Sequence, residues 1–352
     1  MNDLYVCIMA GGSGERFWPL SRRALPKHLL KLFSEMTLLE ETIRRVELAV
    51  PRSHIIVLTN REQFEATRAA VPFLAREQIV CEPARRDTAP ACALGTALVR
   101  RRNPKAVMAM IASDHLIKNG AAFTRNLHDA GSLAAETDAF VTFSIKPTWA
   151  SSHLGYLELG KKIVRPGSKT AFFELKRFIE KPTTARATRY VKSGKFGWNS
   201  GIFAWRADFF LNEARRLQPK LADFIEGFPE ADEVGYLETE FPKLAKISID
   251  YAMMEKAKKI IAARADFDWD DVGYWQALDK HLKKDKHGNT TRGRTAILNA
   301  KNNLIFSQKR LIVLHGVNDL VVVETDDAVL VCHRKEAANL KKLLPHLPGD
   351  VL

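Results

Sequence analysis

The sequence predicts an α/β protein in which a mostly parallel sheet is covered by helices on both faces and followed by a small C-terminal β-rich domain. Three observations predict it. Short apolar runs alternate with helically spaced stretches from Leu4 to Ile145, the first run empties into a glycine-rich loop, and short β-branched runs take over after about Lys284.

Leu4 to Ala10 is apolar and stops at Gly11-Gly12, which reads as a buried strand ending in a loop. Met36 to Val50 has helical spacing, His54 to Thr59 reads as a strand and Arg61 to Val71 as a helix. The alternation continues through Gln78 to Cys81 (strand), Thr88 to Arg102 (helix), Ala106 to Ala112 (strand), Ala121 to Glu136 (helix) and Phe140 to Ile145 (strand). Strands that alternate with helices in this way need crossovers on both faces of a parallel sheet. Between Ser151 and Phe210 the pattern breaks into strand-like pieces at Gly155 to Leu159, Phe172 to Phe178 and Gly201 to Trp205, an insertion placed to wall a pocket. Helical spacing returns at Asp250 to Lys259, and Trp269 to Trp275 reads as a polar-aromatic turn before a short helix. The β-branched runs Asn303 to Phe306, Leu311 to Leu314, Leu320 to Glu324 and Ala328 to Cys332 precede a helix from about Lys335. The domains are therefore expected at 1–284 and 285–352.

Composition narrows the classes. With 352 residues, 46% apolar and 27% charged, the chain can bury a large core without disulfides. Lys and Arg outnumber Asp and Glu by 54 to 41, a net charge of +13 that suits small phosphorylated anions. The clusters Arg100-Arg101-Arg102 and Lys283-Lys284 are not interleaved with aromatics, so no nucleic-acid partner is expected. Cys7, Cys81, Cys92 and Cys332 have no zinc spacing and read as thiols of a reducing, cytoplasmic compartment. No run has the length of a membrane span or the pattern of a signal peptide, so no membrane partner is expected.

The loop Ala10-Gly11-Gly12-Ser13-Gly14-Glu15-Arg16, followed by Pro19-Leu20-Ser21 and Pro26-Lys27, combines glycines that let backbone amides approach phosphate with two permanent cations. It lacks the Gly-Lys-Ser/Thr of a P-loop, and Phe17 stands where a dinucleotide fingerprint needs glycine. Read alone, it fits either a plain turn or a phosphate-binding loop. Asp114, after an apolar strand, and Asp271, after Trp269, are hard carboxylates suited to Mg²⁺, and each alone also suits a cap or turn. Asp270 is expected to face solvent. Glu180-Lys181-Pro182 sets an acid beside a base, which in a strand would point to opposite faces and need not pair.

The spaced segments Gly11 to Lys27, Glu82-Pro83-Ala84-Arg85-Arg86-Asp87-Thr88-Ala89-Pro90, Ser113-Asp114-His115, Phe178 to Pro182, Trp198-Asn199-Ser200-Gly201 and Trp269-Asp270-Asp271-Val272-Gly273 run in order. Together they resemble the mannose-1-phosphate guanylyltransferases, sugar-1-phosphate nucleotidyltransferases with a Rossmann-like sheet. The terminal β-rich segment is similar to the short, left-handed β-helix-like stack that follows the catalytic domain in that family. The chain's length resembles that of members without a fused isomerase domain.

The resemblance implies transfer of GMP from GTP to mannose 1-phosphate, giving GDP-mannose and pyrophosphate with Mg²⁺ as cofactor. It assigns Arg16, Lys27 and Lys181 to charge neutralisation, and Asp114 and Asp271 to the metal. Ala10 to Glu15, Glu82, Arg86, Thr88 and Ala89 would bind the nucleotide; Gly155, Glu180 and Asn199 would bind the sugar. His115 and His153 are expected to be structural, because a phosphate nucleophile needs no base at neutral pH. The sequence departs from the family pattern at His28 and at Ser152-His153-Leu154-Gly155-Tyr156, which bears on sugar and nucleotide preference. Another nucleotide or hexose phosphate, a non-catalytic regulatory subunit and a nucleic-acid binder are the alternatives, and a homodimer joined through exposed strand edges is an expectation.

Overall fold

The computed structural model describes residues 3–12 and 14–351. Its first part alternates as expected: β1 (Leu4–Met9), α1 (Leu38–Val46), β2 (Ile55–Asn60), α2 (Phe64–Ala70), β3 (Ile79–Glu82), α3 (Thr88–Arg102), β4 (Val107–Ala112), α4 (Gly120–Glu136) and β5 (Phe140–Ile145). Local chemistry sets the helix starts. The Thr37 hydroxyl accepts the Glu40 amide at the head of α1, Asp87 caps α3 and Asn119 caps α4. In α1, Glu40 and Glu41 lie in the first turn and Arg44 and Arg45 in the last, matching the helix dipole.

β1, β2, β3 and β4 pair in parallel, and strand alternation divides their side chains between two apolar layers. Val6 and Ile8 of β1 join the layer containing Ile43 and Leu127, whereas Cys7 joins Leu94 and Phe210 on the other face. Burial on both faces is why these strands read as continuous apolar runs rather than as alternating ones.

The second half of the sheet is mixed. It adds β6 (Tyr156–Ile163), β7 (Ala171–Ile179), α5 (Thr184–Ser193), β8 (Phe196–Arg206), α6 (Ala207–Leu217), α7 (Pro219–Glu226), α8 (Glu233–Glu240) and β9 (Ile260–Arg264). The nine strands run β3-β2-β1-β4-β8-β5-β9-β7-β6, and β6 also pairs with the start of β8. The long strand β8 thus runs antiparallel to β4, β5 and β6, and β5-β9-β7-β6-β8 form a closed circuit of pairings. Helical spacing predicted for Asp250 to Lys259 yields only a π-turn at Asp250–Met254, after which Ile260 begins β9. The segment Ile260-Ile261-Ala262-Ala263 is too short and alanine-rich to separate strand from helix by periodicity.

The C-terminal β-rich domain holds β10 (Thr290–Arg292), β11 (Thr295–Leu298), β12 (Leu304–Ser307), β13 (Ile312–His315), β14 (Leu320–Glu324) and β15 (Val329–His333). Thr290 pairs with Leu304, Leu304 with Val321, and Thr295 with Ile312, all in parallel. Successive turns of chain therefore stack as a short β-helix, ended by antiparallel β15 and a 3-10 helix at Arg334–Lys342. Ala300, Ile305, Leu314 and Val322 form its own small core, but its other apolar face does not close on itself. Leu304, Phe306, Val321 and Val323 pack with Phe17, Trp18 and Trp275, so the small domain buttresses the back of the glycine-rich loop.

Candidate active site

The loop after β1 is fixed by carbonyl contacts. Thr59 donates its hydroxyl to the Ala10 carbonyl (3.0 Å), Asn60 its amide to the Gly11 carbonyl (3.1 Å) and Gln63 to the Gly12 carbonyl (3.3 Å). Among the described residues, the backbone N–H groups of Gly11, Gly12 and Gly14 find no acceptor. Oriented carbonyls and free amides make such a turn a receptor for phosphate oxygens. Ser13, expected in this loop, lies outside the described residues. Gly14 has φ 63°, and a Cβ there would collide with the Lys27 backbone nitrogen. Only glycine permits that contact, which brings Lys27 against the loop.

Lys27 is the centre of the charged cluster. Only 6% exposed, it donates from Nζ to an Asp114 carboxylate oxygen (3.0 Å) and to the Asp271 carbonyl (2.7 Å). Burial would raise the Asp114 carboxyl, but the Lys27 ammonium prevails and holds it at about 2. The Asp271 carboxylate has no donor among the described residues, and burial pushes its pKa up. Arg16, Lys27, Asp114 and Asp271 line one cavity of about 320 Å³, and Arg16 makes no ion pair among the described residues.

The approach of Asp271 is set by its neighbours. Val272 has φ 45°, a strained conformation for a buried β-branched residue. Asp270 holds that turn: its carboxylate accepts the Val272 amide (2.8 Å) and lies 3.1 Å from His281 Nε2. The expectation that Asp270 faces solvent is therefore corrected, since its side chain is 13% exposed and braces Asp271 from inside. His115 also lines the cavity. Its Nδ1 accepts the Trp269 indole N–H (3.2 Å), and burial lowers its pKa to about 4, as a neutral structural imidazole requires.

Beside Gly11, a Cβ would lie 3.3 Å from Glu82 Oε2. The other oxygen of Glu82 is buried without a partner among the described residues, and burial raises the carboxyl pKa to about 8. Arg86 donates to the Pro242 carbonyl; the Ile249 amide donates to Thr88 (2.8 Å), and the Ala89 amide donates to the Ile247 carbonyl (3.1 Å). These last three residues tether the segment before Asp250 to the head of α3.

Gly155, Glu180 and Asn199 converge from β6, β7 and β8. A Cβ on Gly155 would lie 2.5 Å from Glu180 Oε2, and the Asn199 amide donates to the Gly155 carbonyl (2.9 Å). Glu180 and Lys181 do pair, at 2.9 Å, contrary to the opposite-face expectation. β7 ends at Ile179, and Lys181 has φ 41°, so strand geometry no longer separates them. Asp250 was not foreseen. It receives the Asn199 side-chain amide (3.2 Å), and burial followed by the nearby Glu180 charge raises its pKa to about 6. An aspartate opening a helical stretch reads as a cap, so no local signal marks it.

The chain matches the family model described as nucleotidyl transferase over residues 5–287 and that of the MannoseP isomerase/GMP-like beta-helix domain over 293–347. It is 34% identical over 357 residues to the mannose-1-phosphate guanylyltransferase of Escherichia coli K12, covering 99% of this chain and 74% of the relative. The chain belongs to the mannose-1-phosphate guanylyltransferase family. The Xanthan biosynthesis protein XanB of Xanthomonas campestris pv. campestris strain B100 is 36% identical over 356 residues, with 99% and 74% covered. A crystal structure of a mannose-1-phosphate geranyltransferase from Thermus thermophilus superposes with a TM-score of 0.87 at 32% identity, covering 98% of this chain and 99% of that one. Members of this family are nucleotidyltransferase enzymes, and the α/β sheet with its small β-helical domain is the family's architecture.

Proposed function

We propose that this enzyme transfers GMP from GTP to mannose 1-phosphate, with the chemistry carried by residues 1–284. The observation that carries the reading is the cavity in which Gly14, closing a loop whose Gly11, Gly12 and Gly14 amides are open among the described residues, meets Arg16, Lys27, Asp114 and Asp271. An oxygen of the sugar phosphate attacks the α-phosphorus in line; the new P–O bond forms as the bond to the bridging β-phosphate oxygen breaks, and pyrophosphate leaves. Both substrates are anions, so catalysis rests on positioning and on preorganised positive charge. Arg16, which makes no ion pair among the described residues, can meet phosphate. Lys27 is held rigidly by Asp114, and Lys181 lies on the sugar-phosphate side.

Asp114 and Asp271 fit a hard divalent cation. They supply two carboxylates to one cavity, and the Asp271 charge has no protein donor among the described residues. Mg²⁺ takes one or two carboxylates and fills its other positions with water and phosphate, so bound there it would neutralise charge on the phosphates.

Guanine is favoured by Glu82. The base edge of guanine offers adjacent N1–H and N2–H donors, and a carboxylate beside the loop with a buried oxygen that has no partner among the described residues is their complement. Gly155, Glu180, Asn199 and Asp250 present oxygen acceptors for sugar hydroxyls. The four cysteines are free thiols, as a reducing, cytoplasmic setting keeps them, and no helix among the described residues is long and apolar enough to cross a membrane. Pyrophosphate release measured across nucleoside triphosphates and hexose 1-phosphates tests the assignment. GTP with mannose 1-phosphate should lead by at least about tenfold; a stronger turnover with another pair would overturn it.

A further inference from the structure

The 3-10 helix Arg334–Lys342 belongs to the β-rich domain but is anchored on the catalytic one. Arg334 pairs with Asp279, and Gln276 donates to the Arg334 carbonyl. Ala337 and Leu340 are buried in the apolar cluster behind Phe17 and Trp18. With Leu340 packed inward, the next residue, Lys341, reaches over the edge of the glycine-rich loop. Its Nζ lies 3.3 Å from Glu15 Oε2, and it lines the same cavity as Arg16, Lys27, Asp114 and Asp271.

The charges say what this lysine is for. Lys27 is buried and already shared between Asp114 and the Asp271 carbonyl. Lys341, by contrast, has a side chain 71% exposed, and an exposed Lys–Glu pair is weak enough to exchange partners. Position identifies the new partner. On the functional reading above, the base lies at the Gly11 end of the loop, next to Glu82, and the phosphate chain runs along the open amides towards Glu15 and Arg16. The sugar-side residues come from the far strands β6, β7 and β8. What reaches Lys341 is the distal end of the triphosphate.

We propose that Lys341 of the β-rich domain is a phosphate-binding residue of the active site, which leaves Glu15 to hold the pyrophosphate moiety of the incoming triphosphate. The small domain then completes the nucleotide site as well as bracing it. A lysine on a phosphate oxygen contributes about one charge-assisted hydrogen bond, equivalent to roughly tenfold in affinity.

The test is calorimetric binding of inorganic pyrophosphate with Mg²⁺, and separately of GDP-mannose, to the wild type and to K341M, K341R and E15Q. Pyrophosphate should bind K341M about tenfold more weakly and K341R nearly as well as wild type, and E15Q more tightly because the competing carboxylate is gone. GDP-mannose lacks the leaving pyrophosphate, so its affinity should be the same in K341M and wild type. Unchanged pyrophosphate binding in K341M, or an equal weakening of both ligands, would overturn the proposal, the latter by showing that the lysine only supports the loop. The measurement is separate from the functional reading: Lys341-dependent pyrophosphate binding without turnover of GTP and mannose 1-phosphate would sink that reading and leave this one standing.

Discussion

The phosphate side and the sugar side of the proposed site are assembled by opposite strategies. Gly11 to Lys27 is one short stretch, braced by Thr59 and Asn60 at the end of β2, by Gln63 at the head of α2 and by an apolar face of the β-helix. Gly155, Glu180, Asn199 and Asp250 come from three strands and a helical turn that meet only through long-range pairing. Their charge balance differs too. Lys27 answers Asp114 at 3.0 Å, whereas Glu180 and Asp250 crowd two acids together beside the exposed Lys181. On the proposed reading, the phosphate side is preorganised for charge that arrives with the substrate. The sugar side would keep acceptors in excess, as recognition of hydroxyl donors requires.

Removing a preorganised cation should break the first side most severely. Arg16→Ala is expected to reduce turnover about a hundredfold, since one group aimed at developing charge contributes on the order of 3 kcal/mol to the transition state. Because Arg16 makes no ion pair among the described residues, the thermal midpoint should stay close to that of the wild type. Near-normal turnover in the folded variant would remove Arg16 from the machinery. Gly155→Ala should break the other side. The added methyl would lie 2.5 Å from Glu180 Oε2, so KM for the sugar phosphate should rise about tenfold while KM for GTP stays put. Equal effects on both constants would mean that the two sides are not separable.

The same contrast explains what the sequence made legible. The phosphate loop is contiguous, and its glycines and cations are spelled out in order, so Gly14 and Lys27 could be singled out before their close packing was known. The alternating strands β1 to β5 were equally readable, because burial on both faces leaves an unbroken apolar run. Asp250 could not be read in this way, since its partner Asn199 is 51 residues away on β8 and meets it only in the folded chain. Nor could Asp270, whose inward turn depends on the positive φ of Val272, or Lys341, whose reach depends on how the β-helix packs behind Phe17. β9 was hidden in an alanine-rich extension of a helical stretch, and its parallel pairing with β5 is set by the sheet rather than by its own residues.

A pH profile sharpens the comparison at the base end. Glu82 sits at about 8 because of burial, and it must be ionised to accept two guanine donors. Below that value GTP binding has to expel a proton. The KM for GTP should therefore fall as pH rises, by up to about tenfold per unit below pH 8, and then level. In Glu82→Gln the slope should vanish together with the preference for guanine. A wild-type KM independent of pH from about 6.5 to 8.5 would detach Glu82 from the base.

The smallest effect belongs to Asp250 and is read in stability. Its folded pKa, raised to about 6 by burial and by Glu180, lies above the unfolded value of about 3.9. Between those values the folded state holds the proton more tightly, so the stability contributed by protonation is complete below the lower value. It declines as pH climbs and is lost above the folded pKa. Asp250→Asn keeps the oxygen that accepts from Asn199 and removes the charge. The variant should match the wild type near pH 4 and be more stable at pH 7 by roughly 1–2 kcal/mol, allowing for partial screening. Denaturant midpoints at the two pH values measure this directly. A variant less stable than wild type at pH 7 would mean that the Asp250 charge is compensated in the fold, and the sugar side would then be as preorganised as the phosphate side.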